Sequence, residues 1–168
     1  MKNIAAHDRL QPSILDRLAD DEPGHQKETR EDNVVSLNQL KELVVRDLGW
    51  LLNCTHFEHV DKLTDLPDVK RSVINYGTPD FAGASLSATN LAQMERDIAE
   101  AIRAFEPRII PATLTVAASL GKSTSCMRKT VTLEIGGRIW ATPYSLEFLL
   151  QSELDLDTGA VSLIEHNG

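Results

Sequence analysis

Phe105-Glu106-Pro107-Arg108 sets an acid and a base on either side of a proline, and it is the stretch of this chain best suited to recognition chemistry. Pro107 carries no amide hydrogen and disfavours helical geometry at Glu106, so a helix arriving from the N-terminal side must end at or near Phe105. Two uses fit such a stiff corner. Glu106 and Arg108 can form a local ion pair, worth under about 1 kcal/mol if exposed. Alternatively, the planar fork of Arg108 can pair with an acidic or carbonyl-rich surface on a neighbouring subunit.

Other constellations are weaker. A glycosidase needs paired carboxyls about 5–10 Å apart, one of them kept protonated. With 25 acids in the chain some pair always meets that distance. The signal therefore has almost no specificity, and Glu106 as the acid of a peptidoglycan-cleaving hydrolase stands only as the alternative reading. A guanidinium two residues away favours a charged carboxylate, the opposite of what a general acid needs. Only eight aromatic residues are available to line a sugar cleft. Cys54, His56 and His59 read C-x-H-x-x-H, fewer ligands than a closed zinc site requires, and a solvated loop is the simpler account. Gly121-Lys122-Ser123 ends like a phosphate loop, but Val116 stands where its first glycine belongs. No serine has the flanking glycines of a nucleophile elbow. No catalytic residue, metal, cofactor or small-molecule substrate is expected.

Charge narrows the partners. The 168 residues carry a formal net charge of -8, concentrated at the two ends. Residues 1–35 hold eight acids and five bases, residues 147–168 hold five acids and no Lys or Arg, and the middle balances at twelve of each. Acidic ends repel a phosphate backbone and an anionic membrane surface, which argues against nucleic acid and membrane docking. Cys54 and Cys126 read as reduced thiols, with one bridge left open. The start, Met1 to Gln11, has no apolar run of a signal peptide, and no segment approaches the roughly 18 apolar residues of a membrane span. A cytoplasmic protein is expected.

Several elements must position the corner. Residues 12–19 form a short amphipathic unit with Ile14, Leu15 and Leu18 on one side, too short to persist unless packed. Asp20 to Asn33 is a polar linker. Ser36 and Gln39 stand at capping-box spacing. Leu37, Leu40, Val44, Leu48 and Leu51 then step by three and four, predicting a helix to about Asn53. Gly49 interrupts it at a cost of roughly 1 kcal/mol. Residues 54–88 are irregular, with a helical turn at Ser72 to Tyr76. Thr89 or Ser87 caps a second helix whose stripe is Leu91, Met94, Ile98, Ile102 and Phe105. Beyond Pro107 the period changes to two: Ala112 to Leu120 reads as a strand. After a polar loop at 121–128, Val131, Leu133 and Ile135 alternate, Gly136-Gly137 reads as a hairpin turn, and Arg138 to Ala141 returns. Leu146 to Leu150 and Val161 to Glu165 complete the strands, with a frayed tail. The fold class is α+β: two long amphipathic helices packed on a mainly antiparallel sheet with a C-terminal hairpin, plus a short N-terminal helical arm. Residues 1–35 form arm and linker, and residues 36–168 a single domain.

Four motifs in order carry a resemblance: Leu15-Asp16-Arg17-Leu18, Arg46 to Asn53, Ser72 to Gly77 and Phe105 to Arg108. Together they resemble the TssE family of type VI secretion baseplate subunits, within the lysozyme-like acidic family of phage baseplate wedge proteins. The resemblance spans about residues 12–165. It implies a structural baseplate-wedge domain over 36–168, not an enzyme, on the cytoplasmic side of the inner membrane. Its implied partners are other wedge subunits and contractile sheath subunits, whose polymerisation such proteins begin. It also implies sheath contact through Glu106, Pro107 and Arg108, a sheet edge after Pro107 open to strand addition, and an N-terminal arm whose Ile14, Leu15 and Leu18 bind another baseplate component.

Overall fold

A computed structural model describes residues 13, 16, 18, 36–59, 63, 65–121, 129–141 and 144–164. Ile14, Leu15, the linker at 20–33, Cys126 and the tail after Glu165 lie outside the described residues. Among the described residues from 36 onward, α1 (Leu37–Leu52), the single-turn α2 (Pro67–Lys70) and α3 (Ala88–Phe105) precede the sheet. The strands are β1 (Thr115–Leu120), β2 (Thr130–Ile139), β3 (Leu146–Asp155) and β4 (Val161–Ile164). They lie side by side in chain order, each pair antiparallel. The fold class is α+β.

Local chemistry starts each helix. The Gln39 amide donates to Ser36 Oγ at 3.2 Å and the Ser36 amide donates back to Gln39 Oε1 at 2.8 Å, a complete capping box. Ser87 rather than Thr89 caps α3, its side chain accepting from the Asn90 amide at 3.2 Å. Both apolar stripes face the sheet: Leu40, Val44, Leu48 and Leu51 from α1, and Met94, Ile98 and Ile102 from α3 are buried. Leu37, in the first turn of α1, stays 41% exposed. Against them lie Val131, Leu133, Ile135 and Ile139 of β2 and Phe148, Leu150 and Leu154 of β3, all buried. Helix α1 crosses β3 and β4, while α3 lies along β1. At the α1–β4 crossing a Cβ on Gly49 would stand 2.9 Å from Leu163 Cδ1, so the helix tolerates that glycine in return for close packing.

Two expectations are corrected. Gly136-Gly137 is no turn: both lie inside the ten-residue β2, paired with Leu149 and Phe148. Positive φ among the described residues occurs at Gly77, Gly83 and Gly159 instead. Val131, Leu133 and Ile135 before the pair and Ile139 after it are all buried, and a Cβ at Gly137 would sit 3.3 Å from the Phe148 ring and 3.5 Å from Leu114 Cα. Glycine is there for space, and the chain reverses between Ile139 and Leu146. The strand after Pro107 also begins later. Pro111–Thr113 makes a 3-10 turn, with Thr113 donating to the Ile110 carbonyl, so β1 opens at Thr115 and not Ala112.

The irregular segment between α1 and α3 is fastened at Gly77. Its φ of +129° turns the chain so that Thr78 N donates to the Cys54 carbonyl at 2.8 Å and His56 N donates to the Thr78 carbonyl at 3.0 Å. A Cβ there would meet the Cys54 carbonyl oxygen at 2.2 Å. Gly77→Ala is expected to lower stability by roughly 3 kcal/mol or more, read as a shifted urea midpoint with an unchanged slope.

Candidate functional site

Glu106 leaves α3 with φ -119° and ψ 80°, outside the helical region that Pro107 disfavours in its predecessor, while its amide still donates to the Ile102 carbonyl. Past the proline, the Arg108 carbonyl accepts from Trp140 N at 2.7 Å and Ile110 N donates to the Arg138 carbonyl at 2.9 Å. The corner is thereby stitched to the end of β2. Buried Ile109, 2% exposed, anchors it in the core.

The side chains then close on one another. Glu106 is only 4% exposed. Its Oε1 accepts from the Arg108 amide at 3.1 Å and from Arg108 Nε at 2.7 Å, and its Oε2 accepts from Nη2 at 2.5 Å. The same Nη2 donates to Asp47 Oδ2 on α1 at 2.5 Å. Asp47 Oδ1 accepts from Arg46 Nε at 3.0 Å and Nη2 at 2.8 Å. Arg46 in turn grips both oxygens of Asp16 at 2.6 and 3.2 Å, and its guanidinium lies 4.6 Å from the Trp50 ring centre. Charges alternate along this chain from Glu106 through Arg108, Asp47 and Arg46 to Asp16. Corner, first helix and N-terminal segment become one electrostatic unit.

Burial is the largest influence on Arg108 and acts to lower its pKa; the hydrogen bonds and charges of Glu106, then of Asp47, outweigh it and the pKa rises. Hydrogen bonding to Arg46 holds the Asp16 carboxyl below the usual range, and Asp16 reciprocally raises Arg46. The fork of Arg108 thus folds back onto its own domain, with its side chain 24% exposed. One end is left over: Nη1 is buried and has no hydrogen-bond partner. Pro107 is exposed beside it.

Other sequence candidates fall elsewhere. Leu18 is 77% exposed. Cys54 is exposed as a free thiol with its Sγ 3.5 Å from the Tyr76 carbonyl, and the described residues contain no group of His, Cys, Asp or Glu arranged for a metal. A groove of about 600 Å³ runs between residues 56–79 and the second half of α3; Glu106 does not line it. Asp47, Arg46 and Asp16 were not singled out as site residues. The signal was there: Asp47 flanks an apolar stripe, and a carboxylate so placed needs a buried cation.

Both sheet margins carry a side-chain plug. On β4, the Asn53 amide donates to the Val161 carbonyl at 2.9 Å and accepts from Val161 N at 2.9 Å, while also bonding the Gly49 carbonyl. On β1, a single carboxylate contact from Glu95 to Ala118 N, at 2.8 Å, does the same task. Main-chain groups alternate along a strand, so Val116 and Leu120 face the same outer side as Ala118.

A buried ionic bend thus joins a helical layer to a four-stranded antiparallel meander. Residues 38–144 match the family of the baseplate wedge protein gp25, and the chain belongs to that family. Its role is that of a structural baseplate component. The chain is also similar to a chain in a solved structure of "the baseplate complex from the type VI secretion system", at 18% identity and a TM-score of 0.49, covering 71% of this chain and 95% of that one. No curated protein matches. No described helix is long and apolar enough to cross a membrane.

Removing one end of the corner pair strands the other. Arg108→Ala leaves the buried Glu106 carboxylate unpaired and should cost roughly 3–5 kcal/mol, measured by urea unfolding. Arg46→Gln breaks a more exposed link and should cost about 1 kcal/mol or less. Because the folded Asp16 pKa lies below its unfolded value, its contact contributes fully above the ordinary carboxylate pKa and is lost as pH falls through the depressed one. An NMR titration of Asp16 should show that low midpoint, moving up in Arg46→Gln.

Proposed function

We propose that this chain is the TssE-type wedge subunit of a type VI secretion baseplate, held on the cytoplasmic side of the inner membrane. It docks other wedge subunits and starts polymerisation of the contractile sheath, and it works by assembly rather than by catalysis. The Glu106-Pro107-Arg108 corner is the sheath contact in this reading. The N-terminal arm, with Ile14, Leu15 and Leu18, takes another baseplate component.

The observation that carries the reading is the spare donor of Arg108. A buried guanidinium nitrogen without an acceptor costs about 1–3 kcal/mol, and a neighbour that displaces the atoms covering it and supplies a carbonyl or carboxylate would recover that energy. Glu106 and Asp47 hold the rest of the fork rigid, so little ordering remains to be done on docking. Exposed Pro107 offers a stiff apolar shoulder next to it. Family membership supports the baseplate setting, and the 77% exposure of Leu18 supports a docking role for the arm. Of the two margins, β1 is the better candidate for an added strand. Its plug is one Glu95 contact, whereas Asn53 grips β4 at both the amide and the carbonyl of Val161.

Arg108→Lys separates docking from folding, because it keeps a cation beside Glu106 and removes the second donor arm. Tagged wild-type chain isolated from its own cells should bring down wedge and sheath subunits. The lysine variant, folded by thermal melting, should recover about tenfold less sheath, the scale of one charge-assisted contact. Equal sheath recovery in the variant would remove the corner from the proposal.

A further inference from the structure

An ion pair spans the groove between residues 56–79 and α3. Lys70 on α2 reaches Glu58 at 3.3 Å and Glu100 on α3 at 3.7 Å, bridging the two sides, and hydrogen bonding to Glu58 leads the rise in its pKa. Asn75, 4% exposed, braces the loop wall from within: its Oδ1 accepts from Glu58 N at 2.8 Å and its Nδ2 donates to the Lys70 carbonyl at 3.0 Å. The lining includes Pro67, Pro79, Ala101, Ala104 and Phe105, small or apolar side chains that demand no hydrogen bonds of a guest.

Charge along the groove is balanced in number but not in pairing. Glu58 and Glu100 share Lys70, and Asp97 accepts a hydrogen bond from the neutral Gln93 amide at 2.7 Å while keeping its charge. Arg71 on the loop wall and Arg103 on the helix wall are both exposed and form no ion pair with any described residue. Among the described residues these two guanidiniums have no acid partner, and they stand beside the apolar part of the lining. The same loop turn that follows Arg71 carries Val73, 84% exposed, and Ile74, 65% exposed, two of the most exposed apolar side chains described. Isolated exposed leucines are ordinary, but adjacent apolar residues held on a hydrogen-bonded turn mark a contact surface.

We propose that this groove is a second docking site, separate from the corner, for an acidic segment of a neighbouring polypeptide. One apolar side chain of that segment fills the trough, and carboxylates beside it pair with Arg71 and Arg103. Charge complementarity selects this occupant: Arg71 and Arg103, which form no ion pair with any described residue, both line this one cavity. The walls are already braced, so the site is formed before its guest arrives. The site is independent of sheath docking at Arg108 and stands or falls separately.

A photo-reactive amino acid placed at Ala104 in the full-length chain, expressed in its own cells, tests this directly. The cross-linked peptide should map by mass spectrometry to an acidic segment of another protein. Arg71→Glu with Arg103→Glu should lower its yield about tenfold with thermal melting unchanged, and lysine substitutions of the mapped acids should restore it. Cross-links confined to residues 19–35 of the same chain or to a second copy, no cross-link, or a yield insensitive to the double reversal would overturn the proposal.

Discussion

The arrangement of this domain depends on a carboxylate and a guanidinium two residues apart that bury each other. Proline forces Glu106 out of helical geometry just as α3 ends, and the chain's bend brings Arg108 back over it. Neither charge could be buried alone at tolerable cost; together, with Asp47 as the third member, their polar atoms are nearly all met. The pair therefore acts as a joint. It fixes the angle between α3 and β2, and through Asp47 it fixes where α1 lies across both.

From that joint the ionic chain runs on to Arg46 and Asp16, and the links through Arg46, 35% exposed, are more exposed than those through Arg108, 24% exposed. Stiffness should fall in the same direction, since exposed pairs are screened and contribute little. The inner links belong to folding and the outer ones to how the N-terminal segment is held. A firmly held corner and a more exposed N-terminal contact thereby share one set of charges. The groove on the loop side repeats the principle on a smaller scale, with Lys70 bridging its walls and Asn75 bracing one of them.

Much of the scaffold could be read directly from residue order. Ser36 with Gln39, the two apolar stripes, and the stop at Pro107 each rest on neighbours within one or two helical turns, where periodicity and capping chemistry decide the outcome. Gly136-Gly137 went the other way. The dipeptide permits a turn or a crowded strand equally well, and the Phe148 ring packed against it made the choice. Likewise, nothing near Gly49 in sequence explains its presence; Leu163, more than a hundred residues later, does.

The site divides along the same line. By itself the sequence determined that Glu106 and Arg108 stand at a stiff corner after a helix, because proline's ring acts on its immediate neighbours. Whether that corner pair would be a solvent-exposed couple or the buried core of a network was decided only in three dimensions. Asp47 lies 61 residues from Arg108, Asp16 lies 30 residues from Arg46, and the desolvation that makes these charges need one another arises only once helix, corner and sheet have packed together.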